Sequence, residues 1–151
     1  MEGTRAVGVF CDDIREEKSG QDTIIGILPD NMKLSQIPGV LPKLGIYIRI
    51  HIDPKNPPKE IRARLSTPWG QDFDVGHVDH ATIATALKQA AVRDLPLAGI
   101  VLKAILAPFA FNSGGLATVS VIFDGKESVC AMLNLIAVDA PTSATASPPP
   151  S

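Results

Sequence analysis

The sequence predicts a mainly β fold: a two-sheet antiparallel sandwich, immunoglobulin-like in general arrangement, with about eight strands and one helix near residues 79–93. Three observations carry that expectation. From Leu44 to Ile52, isoleucines 46, 48, 50 and 52 alternate with Tyr47, Arg49 and His51, the period of a half-buried strand. Elsewhere, short apolar and β-branched runs are separated by turns rich in glycine, proline and aspartate. Asp124-Gly125 interrupts the apolar stretch from Leu116 to Val138, as a tight hairpin turn requires.

In chain order, Arg5 to Asp12 and Thr23 to Leu28 read as two paired strands around a polar turn containing Gly20. Pro29-Asp30-Asn31 ends the second strand, and Pro38-Gly39 with Pro42 marks the next stretch as an irregular connection, a place for the chain to cross between sheets. The strand Leu44 to Ile52 is expected to form a hairpin with Ile61 to Leu65, in which Ile61, Ala63 and Leu65 alternate with Arg62 and Arg64. That pairing sets Arg49 opposite Arg64 and His51 opposite Arg62, and like charges so placed are unfavourable. Asp79 to Arg93 changes to a helical period, with Asp79 as N-cap and Pro96 beyond the end. Gly99 to Ala107 is apolar on both faces and reads as a central strand covered twice, by a sheet and by the helix. For the last hairpin, a two-residue turn sets Val121 opposite Ser128, and a three-residue loop sets Val119 opposite Val129. The three-residue register is preferred because it sorts apolar from polar faces.

A chain of 151 residues, 45% hydrophobic and 20% charged, is long enough to bury one core without disulfide or metal staples. One domain is expected over residues 1–139. Residues 140–151 contain only Ala, Pro, Thr and Ser and are expected to be a disordered tail. The formal net charge of −2 gives no reason to expect nucleic acid or an anionic membrane as partner. The apolar run Leu97 to Phe111 is broken by Lys103 and Pro108 and falls short of the roughly 20 residues of a membrane-spanning helix. No signal-peptide apolar region precedes Asp12, and Cys11 and Cys130 have neither disulfide-framework nor zinc-site spacing. A cytoplasmic location with free, buried thiols is the expectation.

The candidate interaction face is Tyr47, Arg49, His51, Arg62 and Arg64, where the expected hairpin concentrates arginine beside an aromatic ring. The plainer reading of these arginines is neutralisation by neighbouring Asp or Glu. Two polar clusters are weighed beside it. Asp12, Asp13, Glu16 and Glu17, with Asp30, offer calcium-like oxygen ligands, though Arg15 and Lys18 among them favour a solvated turn. Asp74, His77 and His80 have metal-like spacing at a helix entrance, with no fourth ligand nearby. Neither cysteine has a sequence-adjacent histidine, and no nucleophile elbow, phosphate loop or dinucleotide fingerprint occurs. No catalytic residue, metal or cofactor is therefore assigned.

Phe10-Cys11-Asp12-Asp13-Ile14-Arg15-Glu16-Glu17, followed by Ile25-Gly26-Ile27-Leu28-Pro29-Asp30-Asn31-Met32, resembles the opening of a bacterial domain family of unknown function. Pro68-Trp69-Gly70, Pro108-Phe109 and Asp124-Gly125 fit later motifs of that family. The resemblance spans nearly the whole chain except the tail. It implies a β-sandwich and carries over no activity and no site residue. The functional expectation is a non-enzymatic interaction module of the bacterial cytoplasm, binding an unidentified protein or a second copy. The alternative is a small-ligand or metal-binding domain with hydrolytic activity.

Overall fold

A computed structural model of the chain describes residues 3–138. Within them lie β1 (Arg5–Glu16), β2 (Asp22–Ile27), β3 (Asn31–Leu34), β4 (Gly39–Leu41), β5 (Leu44–Ile52), β6 (Ile61–Ser66), β7 (Asp72–Val78), α1 (His80–Val92), β8 (Ala98–Leu106), β9 (Phe109–Phe111), β10 (Gly115–Phe123) and β11 (Lys126–Ala137). The fold is mainly β, as expected, but with eleven strands rather than eight. The sequence offers no distinct strand run for β3, β4, β7 and β9. Three of them are only three or four residues long, too short to show a period, and β7 is diluted by Asp72, Asp74 and Gly76. The expected tail at 140–151 lies outside the described residues.

A four-stranded sheet has the order β2-β1-β5-β8, a five-stranded sheet the order β3-β11-β10-β6-β7, and β4 and β9 form a third, two-stranded sheet. The β3–β11 pair is parallel, so the larger sheet is mixed rather than purely antiparallel. The chain crosses to the larger sheet between β2 and β3, at Pro29, and returns to the smaller one by way of β4, in the stretch marked by Pro38 and Pro42.

Alternation along β5 builds the core. Ile46, Ile48, Ile50 and Ile52 are at most 1% exposed and join Val119, Val121, Leu133 and Leu135 of the facing sheet in one buried cluster. Glycine lets the sheets approach. An added Cβ at Gly8 of β1 would lie 3.1 Å from Cys130 Sγ on β11, and one at Gly76 of β7 would meet Leu102 of β8 at the same distance. Phe109 and Phe111 from β9 are buried, and Trp69 and Phe73 each bring their rings to 5.9 Å from that of Phe109.

The helix forms where its period predicted. The Asp79 carboxylate accepts a 2.8 Å hydrogen bond from the Thr82 N–H, satisfying a first-turn donor. Ile83 and Ala90 are buried, and Leu87 packs against the core. The helix joins β7, an edge strand of one sheet, to β8, an edge strand of the other.

Three pairings differ from expectation. First, β5 and β6 do not form a hairpin: β5 lies between β1 and β8, and β6 between β10 and β7. Alternation specifies a strand's faces but not its neighbours, and the proline-containing connection from Asp53 to Glu60 spans the gap between sheets. The outcome removes the like-charge contact, since Arg64 now faces Asp74 and Ser120. Second, β8 is an edge strand rather than a central one. Ile100, Leu102 and Ala104 turn to the core, whereas Val101 and Ile105 on its other face are exposed. Third, β10 and β11 meet through a two-residue turn with Val121 opposite Ser128, not the three-residue loop. Asp124 (φ 50°) and Gly125 (φ 88°) both adopt the left-handed backbone of a type I′ turn. A register shift between Val119 and Ser120 then sets Val119 opposite Ala131 and Ala117 opposite Leu133, which restores an apolar inner face further along.

The Asp124 carboxylate also accepts from the Lys59 and Glu60 N–H groups, each at 3.0 Å, tying the turn to the β5–β6 connection. Asp124→Ala removes these acceptors and places alanine at positive φ. It is expected to lower unfolding free energy by about 1–3 kcal/mol in urea titration, with Asp124→Asn intermediate.

Candidate functional site

The five arginine-face residues lie on two surfaces. In an antiparallel sheet directly opposed side chains share a face, so the register places Tyr47, Arg49 and His51 on the outer face of the four-stranded sheet. Arg62 and Arg64 lie on the outer face of the five-stranded sheet. The single face expected from a β5–β6 hairpin is thus corrected to two, on opposite sides of the core.

On the five-stranded sheet the arginines are matched by acids. Arg64 Nη2 donates to Glu127 at 2.7 Å, and Arg62 Nη2 donates to Glu60 at 3.5 Å. His77 Nε2 lies 2.9 Å from the same Glu60 carboxylate. Glu60 is held below its ordinary pKa by His77 first and then Arg62. Glu127 is lowered by the nearby Ser120 hydroxyl and by Arg64. The Ser120 hydroxyl is buried and falls short of hydrogen-bond geometry to any group among the described residues, as does Arg64 Nε. Such exposed pairs contribute little to stability individually. Neutralisation, the plainer of the two readings, describes this surface.

The four-stranded sheet presents a different face. Val7, Arg49 and Val101 stand side by side across β1, β5 and β8. Val9, Tyr47 and Lys103 form the row on one side of them, and Arg5, His51 and Gly99 the row on the other. Beyond Tyr47 lies the row Ile27, Cys11, Gly45 and Ile105. Val7 is 63% exposed, Ile27 62%, Ile105 41% and Val101 40%. Arg49 is exposed and makes no ion pair among the described residues. The double-sided apolar pattern of β8 predicts two covers, and sheet order instead leaves one of its apolar faces open. The alternation Arg5-Ala6-Val7-Gly8-Val9 held the same signal on β1.

The acidic residues of the first turn are dispersed by pairing. Asp13 accepts from Lys43 at 3.2 Å, and Lys43 chiefly holds its carboxyl below the ordinary range. Glu17 accepts from Thr23 at 2.6 Å and from Arg15 at 3.3 Å. Lys103 donates to Glu16 and, at 2.9 Å, to Asp22. Asp12 packs over Gly26, whose φ of 66° suits the missing side chain. Asp74 and His77 lie on β7, and His80 opens α1. Among the described residues no group of three or more His, Cys, Asp or Glu side chains is placed to hold a metal ion. Cys11 is buried over Gly45, and Cys130 is half-buried. No described helix is long and apolar enough to cross a membrane.

Residues 6–136 match the family described as "Family of unknown function (DUF6941)". The chain belongs to that family. The match runs from Ala6 in β1 to Ile136 in β11, so both large sheets are part of the family domain. No curated protein is similar enough to this chain to match it.

Two measurements follow from these environments. Asp13, Glu60 and Glu127 have lowered folded-state pKa values, so their contribution to stability is present above the ordinary carboxylate pKa and lost as pH falls through the lowered values. Urea titration is expected to give lower stability at pH about 3 than at neutrality, with Glu60→Gln reducing that difference. Burial pushes the Cys130 thiol up to about 11 and raises that of Cys11. At neutral pH both are therefore expected to alkylate slowly in the folded chain and rapidly once it is unfolded, as followed by mass spectrometry.

Proposed function

We propose that the chain is a non-enzymatic interaction module of the bacterial cytoplasm, binding a protein partner through the outer face of the four-stranded sheet. The carrying observation is the outward exposure of Val7, Ile27, Val101 and Ile105 around Tyr47 and Arg49. Covering such a cluster removes apolar surface from water, at about 25 cal/mol per Å². An immunoglobulin-like mode of use belongs to the same reading: a rigid two-sheet body carries recognition on an outer face rather than in an enclosed pocket. The alternative of a small-ligand or metal-binding domain with hydrolytic activity draws less support. His77 is engaged by Glu60, and the acids at 13, 16 and 17 are engaged by Lys43, Lys103, Arg15 and Thr23.

The test is a Val7→Lys/Val101→Lys double variant, with both changes at exposed positions. Its melting curve is expected to stay close to that of the parent. Affinity purification from the native host, with light scattering for self-association, is expected to show partner or second-copy binding weakened about tenfold or more. Undiminished binding by the folded variant would overturn the assignment to this face.

A further inference from the structure

We infer that the outer face of the four-stranded sheet is built for an apolar protein segment bearing a carboxylate, with Arg49 as the anchor for that carboxylate. The inference rests on the interaction reading above and adds the chemistry of the partner.

Arg49 stands between Val7 and Val101 with no acid opposite it on either neighbouring strand. Arg5 and His51 are directly opposed in the next row, so neither the Arg49 row nor the His51 row carries an acid. The closest acids in sequence and register make their hydrogen bonds elsewhere. Asp53 accepts from the Lys55 N–H at 3.0 Å within its own loop, and Asp13 holds Lys43 at 3.2 Å. Glu16 and Asp22 share Lys103. The same chain shows the contrasting solution on its other sheet, where Arg64 has Glu127 at 2.7 Å. With an overall formal charge of −2, the uncompensated patch is a local reversal rather than part of a generally basic surface.

That arrangement discriminates among occupants. A purely apolar segment laid over Val7 and Val101 would strip water from the guanidinium without replacing it, and an unpaired charge removed from water is costly. A second copy laid face to face on this sheet would set the same arginines against each other. A segment with one Asp or Glu flanked by aliphatic or aromatic residues covers both valines and gives the guanidinium a planar, two-oxygen acceptor.

The test uses a displayed library of random linear peptides selected on the full chain, followed by fluorescence titration of the enriched peptides. Selected peptides are expected to combine Asp or Glu with large apolar residues. Their binding should fall about tenfold or more on Arg49→Glu and on Val101→Lys, less on Arg49→Lys, and changing the peptide acid to Lys should recover binding to Arg49→Glu. Thermal melts, with Arg49→Gln as a second variant, check that each chain folds. Peptides displaced by Val101→Lys but lacking acids, or indifferent to Arg49→Glu, would overturn the carboxylate inference and leave the interaction face standing. A dimer closed over this face and broken by Val101→Lys would do the same. Failure to enrich any peptide sensitive to Val101→Lys would overturn both.

Discussion

Burial of one row of isoleucines governs the rest of this structure. Ile46, Ile48, Ile50 and Ile52 point from β5 into the core shared by the two large sheets. Because side chains alternate along a strand, that row forces Tyr47, Arg49 and His51 outward, and a slip of one residue would exchange the two sets. β1 and β8 then add Val7 and Val101 on either side of Arg49. The composition of the outer face is thus a consequence of core packing on a strand whose inward residues have no alternative place.

Charge distinguishes the two outer faces. A β5–β6 hairpin would have set arginine against arginine and histidine against arginine. Separation of the two strands into different sheets removes the arginine–arginine pair, giving Arg64 the company of Asp74, Ser120 and Glu127, while Glu60 lies beside both Arg62 and His77, which remain opposed. The two outer faces consequently differ in kind. One is a set of closed ion pairs that solvent can cover at little cost. The other joins exposed aliphatic groups to a guanidinium that has no acid of its own among the described residues, and it is therefore the surface whose burial would bring the larger gain.

Much of the local structure was legible in the sequence. The β5 alternation, the β1–β2 pairing and the Asp79-capped helix each depend on residues close in sequence, and each appears in the fold. What escaped depends on distant neighbours. Alternation tells which residues of β6 face inward but not which strand lies beside it, so it does not separate Arg62 and Arg64 from Arg49. The apolar pattern of β8 was compatible with two covers or with one cover and one exposed face; only sheet order decides between these. The turn at Asp124-Gly125 was recognised, but its register required the shift between Val119 and Ser120, which no local pattern announced. The candidate site was legible only in part: Arg49, Tyr47 and His51 were found from their period, while Val7, Ile27, Val101 and Ile105 emerged once four strands were laid side by side.

The central claim is that an apolar face bearing Arg49 is open to solvent while the isoleucine row beneath it is sealed. Methyl NMR of the free chain with a soluble paramagnetic agent tests it most directly. Strong relaxation enhancement is expected for the methyls of Val7, Ile27, Val101 and Ile105, and protection for those of Ile46, Ile48, Ile50 and Ile52. Protected methyls at Val7 and Val101, or attenuated ones along the isoleucine row, would contradict it.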